Sequence, residues 1–207
     1  FDRDGVLGIC AGGLIGFARW TKRWGLDSIA KELPSSNCLA VLEQGHGAVW
    51  VGTYRGPMRL GGGPVWHRWL ARSDDDAGQA TALARASDGG FWVAAQNGLH
   101  RFARDGLVAE FVRHDKPIGA VAETSDGTVY AASGTALLRL QNGRLLPVLN
   151  GVTDDPVMSL SADADGALWI VRGNCIQRFG GGHWTEIALA GGTMLVQLRD
   201  GRRLVSA

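Results

Sequence analysis

The sequence predicts an all-β chain, a β-propeller of four-stranded antiparallel blades, with about five blades present as part of a larger propeller. Three observations carry that prediction. A glycine-headed motif recurs about every forty residues along 207 residues. The strand after each of these glycines is apolar at adjacent positions, so both of its faces need cover. Glycine and tryptophan are both in excess: Gly at 31 is roughly twice average usage, and eight Trp stand beside two Tyr.

The motif glycines are Gly5, Gly47, Gly89, Gly127, Gly166 and Gly201, spaced 42, 42, 38, 39 and 35 residues apart. Asp precedes five of them and His46 the other, and Asp-Gly predicts a tight type I′ hairpin turn. The strand that follows carries an aromatic three residues after the glycine in four copies: Trp50, Trp92, Tyr130 and Trp169. A second strand then closes on Arg plus a bulky residue, as in Arg101-Phe102 and Arg178-Phe179. Upstream of the turn lies a third strand, with Val41, Leu83, Val121, Leu160 or Leu195 six residues before the glycine and mostly small neighbours. Val65–Trp69 and His183–Ile187 predict a further outer strand. The motifs span 4–17, 46–60, 88–102, 126–140 and 165–179, with a partial copy at 200–207, and 1–207 is expected to form a single propeller segment.

Neighbouring residues of a strand point to opposite faces. Phe91 and Trp92, or Leu168 and Trp169, therefore bury both faces of one small sheet. Sheets stacked around an axis, each covering the next, meet that need. Small residues on the upstream strand suit a crowded hub, and Trp suits the wider space outside it. One segment dissents: Trp24 to Leu33 has Leu26, Ile29, Ala30 and Leu33 at helical spacing, which predicts a short helical turn in a connection. Five full periods are present, the sixth copy supplies only its first two strands and the first lacks its upstream strand, so the chain is expected to be a segment of a longer propeller. The rival is a five-bladed ring closed by overlap of its ends.

Composition excludes several function classes. Lys plus Arg total 21 against 20 acids, a net charge of +1, which gives no reason to expect a nucleic-acid partner. No run approaches the ~18 apolar residues of a membrane-spanning helix. Cys10, Cys38 and Cys175 are far apart, read as small buried hydrophobes, and neither demand nor exclude an oxidising compartment.

No catalytic, metal or cofactor site is legible. Ser161 to Gly166 faintly echoes a calcium loop, but Ser holds its first place and Arg172 its twelfth. Asp74-Asp75-Asp76 reads as a solvated loop. The five His show no metal-ligand spacing, and the triple-glycine runs read as hairpin turns. Trp66, Trp69 and Trp184, aromatics outside the repeat motif that can hold flat ligands or partner chains, are offered together with His100 for a binding surface.

Leu33 to Glu43 followed by Gly47 to Thr53 resembles the two-component regulator propeller repeat. Asp154 to Leu160 with Asp165 to Ile170 resembles it too, and Asn97-Gly98-Leu99-His100-Arg101-Phe102 matches the end of the repeat closely. Gly8 and Tyr130 take the Trp place, and Ala136 and Cys175 that of the second glycine. The resemblance implies an extracytoplasmic (periplasmic) sensor region of a bacterial membrane-anchored receptor, binding a small ligand or protein partner. It further implies an output kinase, regulator or diguanylate cyclase outside this chain, and a homodimer of the full-length protein. The alternatives are an enzyme similar to streptogramin lyases or lactone hydrolases, with a channel His such as His100 or His114, and a structural interaction scaffold.

Overall fold

The computed structural model describes residues 6–11, 14–20, 24–28, 38–45, 48–60, 66–68, 78–148, 155–173, 175–188, 194–197 and 203–206. Every regular element among them is a strand. The first sheet holds β1 (Val6–Ala11), β2 (Leu14–Trp20) and β3 (Trp24–Ser28). The second holds β4 (Cys38–Gly45), β5 (Ala48–Thr53), β6 (Gly56–Leu60) and β7 (Trp66–Arg68). The third holds β8 (Ala80–Arg85), β9 (Phe91–Ala95), β10 (Gly98–Phe102) and β11 (Val108–Arg113). The fourth holds β12 (Ala120–Glu123), β13 (Val129–Ser133), β14 (Ala136–Gln141) and β15 (Arg144–Pro147). The fifth holds β16 (Val157–Ala162), β17 (Leu168–Arg172), β18 (Cys175–Gly180) and β19 (His183–Ala188). A final pair, β20 (Met194–Gln197) and β21 (Arg203–Ser206), completes the order. Each sheet is an antiparallel meander in chain order.

The sheets stack as blades. β4 packs on β8, β8 on β12, β12 on β16 and β16 on β20, so the first strand of each blade lies at the hub. The double-faced apolar strands fill the spaces between blades. Phe91 turns back into a cluster with Trp50, Val93 and Phe102. Trp92, its neighbour, turns forward to Val121, Val129, Ala131 and Leu138. The other face of the fourth sheet gives Ala122, Tyr130 and Ala132 to Leu160, Leu168 and Ile170 of the fifth. Trp50 and Phe91 are fully buried, with ring centroids 4.4 Å apart. Burial of each such side chain stabilises the stack by about 2–3 kcal/mol.

Three expectations are corrected. Trp24–Ser28 is a strand, not a helical turn: it pairs with β2 from Trp20↔Trp24 to Gly16↔Ser28, completing the first sheet. The rest of that stretch, 29–33, lies outside the described residues. The Asp-Gly turns are not type I′, which needs positive φ at both central residues. Only the glycine is left-handed, at +87° for Gly89, +79° for Gly127 and +82° for Gly166. Gly89 N donates to Ala86 O and Ala86 N to Gly90 O, a three-residue loop with a bulge; Thr124 to Thr128 and Asp163 to Ala167 repeat it. Finally, Cys38 is disulfide-bonded rather than a plain buried hydrophobe. Cys175 keeps the expected character, buried with a free thiol.

Candidate binding face

A four-stranded meander puts its turns alternately at two ends. The Asp-Gly turns and the turns between third and fourth strands, such as Ala103–Leu107, share one end. The turns between second and third strands, and the connections between blades, share the other.

At the Asp-Gly end the polar groups hold the blades. Asp88 Oδ1 accepts Gly90 N at 2.9 Å, and Asp126 Oδ1 accepts Thr128 N at 3.0 Å. A carboxylate that accepts the N–H two residues on explains Asp before Gly better than backbone preference does. The Gly90 N–H, and after it Arg101, holds the Asp88 carboxyl below its ordinary range. The Thr124 hydroxyl, then the Thr128 N–H, does the same for Asp126. Arg59, Arg101 and Arg178 each lie over the Trp of their own blade, at 5.8, 5.2 and 5.6 Å from the ring centroid. Arg101 also bonds Asp88 and the Phe102 carbonyl.

The Trp indoles reach acids. Trp92 Nε1 donates to Glu123 Oε2 of the next blade at 2.6 Å. Trp169 Nε1 donates to Asp163 Oδ2 at 2.9 Å, and Asp163 Oδ1 also accepts Ala167 N at 2.8 Å. The carboxylate of the apparent calcium loop is thus taken up by its own turn. Asp74-Asp75-Asp76 lies outside the described residues.

The opposite end is built differently from blade to blade. Arg172, 1% exposed, is the largest departure. Its Nε donates to Gln177 Oε1 at 3.1 Å; its Nη1 donates to Thr135 O at 3.1 Å and Asp155 O at 2.7 Å. Thr135 belongs to the β13–β14 turn, so Arg172 joins the fourth and fifth blades. Burial pushes its pKa down, and Gln177 Nε2 passes the network on to Glu186 Oε2 at 3.0 Å. Cys175 lies in the same surroundings, where burial, and then Glu186, raises its thiol pKa. Tyr54 on the β5–β6 turn and Met158 near the start of β16 are half-exposed at this end.

The residues offered for binding are not gathered into one place. His100 lies on β10 and is buried, its Nε2 2.9 Å from Asn97 Oδ1 and its ring 4.4 Å from that of Phe111. Trp184 is half-buried on the outer strand β19, 4.8 Å from Phe179. Trp66 lies on β7, the outer strand of another blade, and Trp69 lies outside the described residues. The motif residues Trp50, Trp92 and Tyr130 pack between blades, and Trp169 packs on Val171 and Ile176 of its own sheet, whereas Gly5, Gly47 and Gly201 lie outside the described residues.

His114 sits on a connection between blades, its Nδ1 2.8 Å from Lys116 O. Neither it nor His100 lies on a hub strand. Among the described residues no three His, Cys, Asp or Glu side chains converge as a metal site requires. The Arg172 network escaped the sequence reading. Its signal was an arginine six residues after the turn glycine, where the other described blades have Ala11, Thr53, Ala95 and Ser133.

No family model matches the chain, and no curated protein matches it. Solved structures do. A streptogramin B lyase is 15% identical with a TM-score of 0.81, over 99% of this chain and 73% of that one. The extracellular domain assigned to a hybrid two-component system of B. thetaiotaomicron is 16% identical with a TM-score of 0.70, over 98% of this chain and 31% of that one. A gluconolactonase of Xanthomonas campestris is 14% identical with a TM-score of 0.68, over 97% and 78%. These likenesses establish the propeller fold.

Proposed function

We propose that this chain is a non-catalytic ligand- or protein-binding propeller, the extracytoplasmic sensor region of a bacterial two-component or diguanylate cyclase receptor. The observation that carries the reading is the use made of the repeat's own polar residues. The Asp, Trp and Arg side chains engage one another, turn backbone or, for Trp92, Glu123 of the next blade, so they serve the scaffold. Recognition then falls to the turns at the opposite end, which differ from blade to blade. The fold shared with extracellular domains of two-component systems supports the assignment. The disulfide at Cys38 supports an oxidising compartment, because such bonds are rare in reducing cytosol.

A second reading, a propeller enzyme, is favoured by the fold likeness to streptogramin B lyase over 99% of the chain. One experiment separates the two. The purified chain is incubated with Mg²⁺ and either quinupristin or a sugar lactone, and products are followed by mass spectrometry. The sensor reading predicts no turnover above the protein-free control. Turnover that chelation abolishes would overturn it.

A further inference from the structure

The chain has three cysteines. Cys38 is disulfide-bonded and Cys175 carries a free thiol. We infer that Cys10 is the partner of Cys38, so that a covalent bond clamps the first sheet to the second beside the hub.

The repeat supplies the geometry. Cys38 stands nine residues before its turn glycine, as Ala80, Ile118 and Val157 stand before theirs. Cys10 stands five residues after its turn glycine, as Gly52, Ala94 and Ala132 do. In the described blades these two places meet across the junction between neighbouring sheets. A Cβ on Gly52 would come within 2.6 Å of Ala80 O. The Thr81 hydroxyl lies 3.1 Å from Ala94 O and 2.5 Å from Ile118 O, and those two residues share one apolar cluster. Ala132 and Val157 share the next. At the first junction the same two places are Cys10 and Cys38, on β1 and β4, which pack directly on one another.

Formation of the bond takes two protons and two electrons from the two thiols. A donor disulfide, small-molecule or protein-borne, accepts them and leaves as two thiols. The first junction thereby gains a covalent link where later junctions have hydrogen bonds and apolar contact. The assignment stands apart from the sensor reading, since a clamped propeller of any function would carry it.

Thiol counting on the full chain tests it. The protein is equilibrated in an oxidising glutathione buffer, alkylated under denaturing conditions and digested without reductant. One alkylated thiol, at Cys175, is expected, with a linked peptide holding Cys10 and Cys38 that separates on reduction. The variant Cys175→Ser keeps the linked peptide. Cys10→Ser frees Cys38 and lowers Tm by about 5–15 °C. Three alkylated thiols, Cys38 linked to Cys175 or to a second chain's Cys38, or an unchanged Tm in Cys10→Ser would each overturn the assignment.

Discussion

Asp126 illustrates what the aspartates before the turn glycines do. Its carboxylate accepts the Thr124 hydroxyl at 2.6 Å and the Thr128 N–H at 3.0 Å, and both hold its pKa below the ordinary value. A depressed carboxyl stabilises the fold above its unfolded pKa, and that contribution disappears as pH falls through the folded value. The side chain is largely exposed, so screening keeps the contribution to no more than about 1 kcal/mol. Asp126→Ala is therefore expected to lose up to that amount at pH 7 and less as pH falls below the ordinary carboxylate range, measured by urea unfolding at pH 7 and in acid. Asp at this place was legible in the sequence, but the backbone preference first assigned to it was not the reason. The carboxylate matters because it caps an N–H two residues on. Arg172 was illegible for a different reason: two of its acceptors, Thr135 O and Asp155 O, lie 37 and 17 residues away in other elements. A lone arginine in a strand gives no hint of such partners.

At the scale of the strand, period and burial were readable together. Phe91 and Trp92 predicted a strand covered on both sides, and every residue of β9 is buried. The outer strands β11 and β15 lacked any shared motif, so the sequence announced only those near Trp66 and Trp184. Helical spacing in Trp24 to Leu33 misled because the pairing with β2 outweighs local pattern. Close approach between strands of different blades gives a test. A Cβ at Gly52 would sit 2.6 Å from the Ala80 carbonyl and 3.3 Å from Ala40 Cβ, so neighbouring backbone must move. Gly52→Val is expected to destabilise by about 1–3 kcal/mol through overpacking. Val at Gly143, where nothing lies within 4 Å, is strained by a φ of +71° alone and serves as the control for crowding. A Gly52→Val variant as stable as the parent in urea would show that the blades stand further apart.

For the molecule as a whole, the larger hydrophobic clusters lie between sheets, and at the third blade a polar bond also crosses to the next sheet. Trp92 on β9 donates to Glu123 on β12 at 2.6 Å, while Glu123 Oε1 accepts Ser87 N at 2.9 Å. The blade stack was foreseeable from doubly apolar strands, yet the acids that answer Trp92 and Trp169 were not. In the third blade it comes from the next sheet, in the fifth from the Asp-Gly turn of its own. The sensor reading depends on a division of labour: at one end the repeat's polar residues serve the scaffold, and at the other the turns differ from blade to blade. A double-mutant cycle between Trp92→Phe and Glu123→Ala, followed by urea unfolding, measures the contact between sheets directly. A charge-assisted bond between stacked blades predicts a coupling energy of about 1–2 kcal/mol. Strict additivity of the two substitutions would contradict the stacked arrangement.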